Sequence, residues 1–323
     1  MAFAGYDIGS QVKPTQKFST RILVAFGCVY FFWGSTYVAI RFGVEVLPPF
    51  VLASVRFLIA GPLMLALCAA RGMRLRQSGR DLAMLAAIGI LMLGVGNMGL
   101  VWCEQYLSSG LAALLIAVVP VFVALFEAFL PNGEGLRTKG WIGIAVGFCG
   151  LVILLWPGLR EGGHSRQLMG SAVAVLSAFA WTCGSILSRR AKVKTSAFVA
   201  AAWEMMFAGV FNFGLMWVTG GTYRTHWDLQ AVVSIAWLVT FGSLVGYSAY
   251  IYLLDHVPVA KVATYAYINP IVAVVLGALL LHERMVPIEY AGMAAILVAV
   301  YLVTSSKLKT ATVAPEEELE AIA

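Results

Sequence analysis

Tyr30, Trp33, Tyr37 and Arg41 recur at intervals of three and four residues, so on a helix they share one face. Trp181, Ser185 and Arg189 repeat that spacing later in the chain. Indole and phenol rings with a cation at one end suit the reversible holding of a small molecule, by stacking and hydrogen bonding, and not the making of bonds. More polar rings and amides stand in otherwise apolar runs: Asn97 and Trp102, then Tyr247, Tyr250 and Tyr252, then Tyr265, Tyr267 and Asn269. A polar group taken out of water needs a partner, so these must satisfy one another or a bound molecule. The pattern predicts Trp33, Tyr37, Asn97, Trp181, Ser185, Tyr247 and Tyr265 as substrate contacts. Aromatic belts at a membrane interface give a similar composition, but Trp33 and Trp181 fall in mid-span.

The ionisable residues suggest gates. Arg41 and Glu104 sit near one pair of span ends, Arg189 and Asp255 near the opposite ends, and the arrangement predicts two symmetry-related ion pairs. Charges that snorkel to solvated partners are the competing reading. Arg56 and Glu204 lie deeper, where charge is expensive; structural roles are expected for both, either as a pair or as separate ties to the backbone. Pro120 and Pro270 fall near the middles of their spans, and each removes a backbone hydrogen bond. They are predicted to be paired hinges, with static kinks as the alternative.

Other chemistry is poorly supported. His164, His226, His256 and His282 are dispersed, and Cys28, Cys68, Cys103, Cys149 and Cys183 contain no CxxC, so packed free thiols and no metal or cofactor are expected. The glycines of Gly94–Val95–Gly96–Asn97–Met98–Gly99 spell a dinucleotide-binding motif inside an apolar span, without the strand that motif requires, so helix packing is the better reading. Gly143 and Gly147 form a GxxxG, read as a packing face or a dimer contact. No nucleotide-triphosphate-binding motif is present.

The elements that must position these residues are membrane helices. Of 323 residues, 61% are hydrophobic and 12% charged, against roughly 25% charged in a soluble protein; mean hydropathy is +0.87. Ten segments approach the length of a span: 22–44, 48–70, 82–107, 108–130, 140–157, 169–188, 195–219, 229–254, 258–281 and 288–306. A first span with Trp33, Tyr37 and Arg41 where a cleavage site should lie is not a signal peptide. With the N-terminus inside, only Arg160, Arg166, Arg224 and Arg284 of the 22 Lys and Arg fall outside, and Arg41 and Arg56 lie within spans. That asymmetry places both termini in the cytoplasm and the chain in the inner membrane. It also accounts for the net charge of +6 without nucleic acid.

The chain also repeats itself. A shift of 148 residues lays Trp33 on Trp181, Arg41 on Arg189 and Ala60–Gly61 on Ala208–Gly209. A shift of 149 lays Glu134 on Glu283 and Gly143 on Gly292; a shift of 150 lays Pro120 on Pro270 and Ala113 on Ala263. An odd number of spans per half turns the second half upside down, a recurrent transporter design. The expectation is an all-α membrane protein of ten transmembrane helices in two inverted five-helix repeats. Residues 22–157 and 169–306 form the halves, 1–21 a cytoplasmic leader and 307–323 a polar, disordered tail.

The run Trp33–Gly34–Ser35–Thr36–Tyr37, the pair Arg56–Phe57 and the ending Gly133–Glu134 resemble the drug/metabolite transporter superfamily, and among it the ten-helix EamA-type exporters. So do Ser243 to Tyr252, Tyr265 to Pro270 and His282–Glu283. The resemblance implies a basket whose helices one, three, four, six, eight and nine line a central cavity, and export of amino acids, related metabolites or small amphipathic drugs. The aromatic face points to an amino acid with an aromatic or apolar side chain, carried by a secondary transporter that is a monomer or weak homodimer in the lipid bilayer. A nucleotide-sugar or sugar-phosphate transporter would call for several converging cations, and a membrane-embedded enzyme for clustered histidines or acids.

Overall fold

In the computed structural model, residues 19–131, 135–160, 165–191, 193–220, 225, 227–257, 262 and 264–308 are described, and every regular element among them is helical. Among the described residues, nine helices are long and apolar enough to cross a membrane. In chain order the ten are α1 (Thr20–Val44), α2 (Pro49–Ala70), α3 (Gly79–Cys103), α4 (Ser109–Phe129), α5 (Thr138–Arg160), α6 (Ser165–Arg190), α7 (Ala197–Val218), α8 (229–256), α9 (Tyr265–Leu280) and α10 (Pro287–Leu308). The shorter one is α9. Its span is predicted from residue 258, but residues 258–261 and 263 lie outside the described residues; the 16 residues from Tyr265 rise about 24 Å.

Local sequence sets most of the ends. Ser78, Ser108, Ser196 and Asp228 cap α3, α4, α7 and α8 through their side-chain oxygens. Pro49 and Pro287 open α2 and α10, where the missing N–H costs nothing. The weakly marked boundary after the third span is a real break: Glu104 to Ser108 leave the helix, and Ser108 starts the next one.

Three helices widen into π turns: α1 at Val29–Trp33, α3 at Ile90–Asn97 and α8 at Leu238–Val245. The second and third are separated by 148 residues at both ends, the same offset that relates the two halves. The equivalent of the first, residues 177–181 in α6, stays α-helical.

The inverted relation is visible in two helix pairs. Leu58 lies beside Gly209, Gly61 beside Met206 and Ala202, and Ser54 reaches the sulfur of Met216, so α2 and α7 run antiparallel. Their close approach falls at Ala60–Gly61 and Ala208–Gly209, the small pairs that the internal repeat superposes. Each helix thus meets its own image, as a twofold axis in the membrane plane requires. The same holds for α5 and α10. A Cβ on Gly143 would lie 2.9 Å from Leu302 and Val303, and one on Gly292 would lie 2.5 Å from Leu154. The GxxxG of α5 is therefore spent on a contact within the chain, and its reading as a dimer contact is corrected. Close approach is how such interfaces gain dispersion energy where lipid removes the hydrophobic drive.

The glycines of α3 serve packing too. A Cβ on Gly96 would lie 3.1 Å from the backbone nitrogen of Trp181, and one on Gly94 would press on Phe211. Large apolar side chains such as Trp217, Leu279 and Tyr301 are exposed on the outside of the bundle, where lipid would cover them. The five cysteines are free.

Candidate functional site

Helices α1 to α4 and α6 to α9 enclose a cavity of about 110 Å³ at mid-depth. Family resemblance implied six of these walls; α2 and α7 join them through Arg56, Phe57 and Met205. Trp33, Tyr37, Asn97, Trp181, Tyr247 and Tyr265 all line the cavity. Ser185 does not: its hydroxyl turns back along α6 and donates to the Trp181 carbonyl at 2.8 Å. Ser and Thr do this in helices when no other acceptor competes.

The α1 wall is an aromatic box. The π turn ends on Trp33, whose Nε1 donates to the Gly242 carbonyl at 3.1 Å. Its ring centroid lies 4.9 Å from that of Tyr250, 5.3 Å from Tyr265 and 6.4 Å from Tyr247. Gly246 makes the fit possible, because a Cβ there would stand 2.7 Å from Trp33 Nε1. Trp181, also on the lining, rests against α3 at Gly96 through its backbone. These contacts join residues from both halves in one chamber.

Two residues expected to be structural, Arg56 and Glu204, do not pair with each other. Arg56 lines the cavity and donates from Nε to Ser243 Oγ at 3.1 Å. Glu204, also buried, accepts from the Tyr247 hydroxyl at 3.3 Å. Sequence depth had singled out Arg56, whereas Ser243, Thr36 and Ala266 stood only within the runs that carry the family resemblance and were not expected as contacts.

The end of the bundle near Glu104 is tied by Arg41, though not as predicted. Arg41 Nη1 donates to the backbone carbonyl of Glu104 at 2.8 Å, while its Nε lies 3.9 Å from the carboxylate of Glu283 and its Nη2 3.9 Å from Glu45. The reason is the helix terminus: α3 ends here, the carbonyls of Trp102 and Cys103 are taken up by the following turn, and the Glu104 carbonyl beyond them, at the negative pole of the helix, accepts the cation. Glu283 also accepts from the backbone N–H of Ser109 at 2.9 and 3.1 Å and from its hydroxyl at 2.7 Å, capping α4. The Glu104 carboxylate is fully withdrawn from solvent, and neither oxygen has a hydrogen-bond partner.

At the opposite end Arg189 Nη2 meets Glu127 Oε1 at 2.7 Å, and Arg190 lies 3.8 Å from the other oxygen. The side chain of Asp255, the expected partner of Arg189, lies outside the described residues, as does Glu134. Glu127 was legible only as an acid one turn from the end of span four.

The prolines differ in local form. Pro120 follows a break at Ala117–Val118, so α4 is two segments, Ser109–Ile116 and Val119–Phe129. Pro270 sits inside the continuous α9. Each deprives the carbonyl four residues earlier of its donor. Those residues are Ile116 and Ala266, and both line the cavity.

Comparison with known proteins agrees with this geometry. The chain is 37% identical over 292 residues to an uncharacterized inner membrane transporter, YedA, of Escherichia coli K12, covering 89% of this chain and 92% of that one. It is 25% identical over 281 residues to a protein of the same organism named "Probable amino-acid metabolite efflux pump", covering 84% and 90%. A solved crystal structure superposes with a TM-score of 0.63 at 21% identity, over 88% of this chain and 98% of that chain, which supports the fold. The profile of the EamA-like transporter family matches twice, at residues 20–156 and 168–305. A twice-matched profile and a chamber built jointly by the two halves have one reading: this chain belongs to the EamA-like transporter family of the drug/metabolite transporter superfamily, as a secondary transporter of the membrane and not an enzyme.

Proposed function

We propose that the chain exports a small metabolite, an aromatic or apolar amino acid, across the inner membrane by alternating access. The observation that carries this reading is the chamber within the bundle, whose lining includes the rings of Trp33, Trp181, Tyr247 and Tyr265 from both halves. Rings from both halves suit an apolar or aromatic side chain, and a relative named for amino-acid metabolite efflux supports the class. With both termini cytoplasmic, the Glu104 end faces outward and the Glu127 end inward. Arg41, Glu104 and Glu283 then form the outer gate, and Arg189 with Glu127 the inner one. Pro120 and Pro270 are the flexing points between them. The path lies within one chain, so a monomer suffices.

Counterflow in proteoliposomes tests the proposal with amino acids, nucleosides, cationic dyes and sugar phosphates. Saturable exchange of labelled phenylalanine against the unlabelled form is expected. Exchange of sugar phosphates, with none of any amino acid, overturns the substrate class. That outcome is disfavoured by charge: among the described residues, Arg56 is the one Lys or Arg on the cavity wall.

A further inference from the structure

Arg56 stands seven residues into α2, about 10 Å from its start, and is only 6% exposed. Its guanidinium is seated with care. Nε donates to Ser243 Oγ at 3.1 Å, and Cζ lies 4.9 Å from the centroid of the Phe57 ring. The wide turn of α8 brings Gly242 alongside, where a Cβ would crowd Nη2 at 3.1 Å. Yet Nη1 has no hydrogen-bond partner, and no carboxylate of the described residues forms an ion pair with Arg56. The buried acid Glu204 accepts from the Tyr247 hydroxyl instead. On the same cavity, Asn97 Oδ1 also lacks a partner.

A buried guanidinium without an anion is strongly unfavourable, and an orphaned buried acceptor adds to the cost. Such sites persist where a ligand completes them. We infer that Arg56 is the anion-binding post of the cavity: its free Nη1 holds the single carboxylate of the transported molecule, and the free Oδ1 of Asn97 accepts an N–H from it. This rests on the export reading above and adds which groups of the substrate are recognised. One unpaired cation matches one negative charge, whereas a phosphate monoester carries between one and two. Ser243 is a positioning residue, holding the guanidinium so that Nη1 is the edge left free.

The test uses the full chain in lipid nanodiscs, with binding read by quenching of intrinsic tryptophan fluorescence and transport by counterflow. The ligands are phenylalanine, phenylalaninamide, phenethylamine, 3-phenylpropionate, phenyl phosphate and ethidium. Phenylalanine is expected to bind at least tenfold more tightly than its amide or phenethylamine. Arg56→Gln should abolish that preference, Arg56→Lys should keep part of it, and Ser243→Ala should reduce it. Wild-type protein that binds the amide as tightly as the acid overturns the inference, and it does so even if Arg56→Gln fails to fold. A folded Arg56→Gln protein that still prefers the acid also overturns it. Tighter binding of phenyl phosphate overturns the single-charge assignment. If ethidium moves and no carboxylate binds, the anchor falls while export stands. Tightest binding of 3-phenylpropionate, dependent on Arg56, keeps the anchor and overturns the amino-acid reading.

Discussion

The two tryptophans that the internal repeat superposes sit in unlike walls. Trp33 closes a π turn, is hydrogen-bonded to α8 and is boxed by three tyrosines. Trp181 lies on an uninterrupted α-helix that leans on the glycines of α3. The two ends differ in the same direction. The Glu104 end is a part-buried network built on a helix terminus, whereas at the Glu127 end a carboxylate of similar burial pairs with an Arg189 side chain that is 42% exposed. Two homologous halves have therefore diverged in how firmly each is fastened. Alternating access needs this difference only to the extent that the two closed forms differ in stability.

The comparison can be broken by unequal responses that turn out equal. Glu283→Ala removes three short charge-assisted bonds from the start of α4 and is expected to cost about 3 kcal/mol, read as a fall in the thermal unfolding temperature in detergent. Glu127→Ala, at the solvated end, should cost about 1 kcal/mol or less, with an effect that fades in high salt. Equal costs would mean that both ends are fastened alike.

A second test concerns pH. Glu104 lies just past the end of the α3 span, and its carboxyl is held well above the usual carboxylate range, first by burial and then by Glu283, with Arg41 opposing. The groups facing it are Arg41, Glu283, Tyr37 and Cys103. In the tied form it keeps its proton; once exposed to water it would titrate normally. The tied form thus binds more protons and loses stability as pH rises above the ordinary carboxylate range, until the raised value is passed. Thiol labelling of Ala113→Cys, with the native cysteines replaced, should speed up with pH from the Glu104 end. Glu104→Gln should flatten that profile; an unchanged profile would assign the dependence elsewhere.

Smaller again is the contrast between the tryptophans. Trp33→Phe leaves the Gly242 carbonyl without its donor and should cost about 1 kcal/mol, whereas Trp181→Phe should stay within about 0.5 kcal/mol. Both should weaken phenylalanine counterflow, since both rings border the chamber. If Trp181→Phe proves the more destabilising, the α6 wall is the fixed one.

Much of the architecture was legible from local signals. Apolar length marked the helices, and the offset matches disclosed the inverted halves. Ala60–Gly61 and Ala208–Gly209 even fall at the α2–α7 crossing, because only small residues let two helices meet so closely. The site was legible where a large ring or amide interrupts an apolar face, as at Trp33, Asn97 and Tyr265. It was not legible where the decisive quantity is a partner. Ser185 shares the helical face of Trp181 and yet bonds its own backbone. Arg41 and Glu104 do meet, but through a carbonyl that sequence cannot weigh against a carboxylate. Arg56 was expected to serve structure; it ties α2 to Ser243 and also borders the chamber, with Nη1 unpartnered.

Sequence alone determined how many helices there are, roughly where most of them lie and how the halves are related, because hydropathy and repetition are properties of nearby residues or of the chain compared with itself. Tertiary structure decided which side chains converge. Rotation and register between helices shift a side chain by several ångströms with no change in its own helix, and that is the scale on which Arg41 finds Glu283, Trp33 finds Gly242, and Arg56 Nη1 finds no partner.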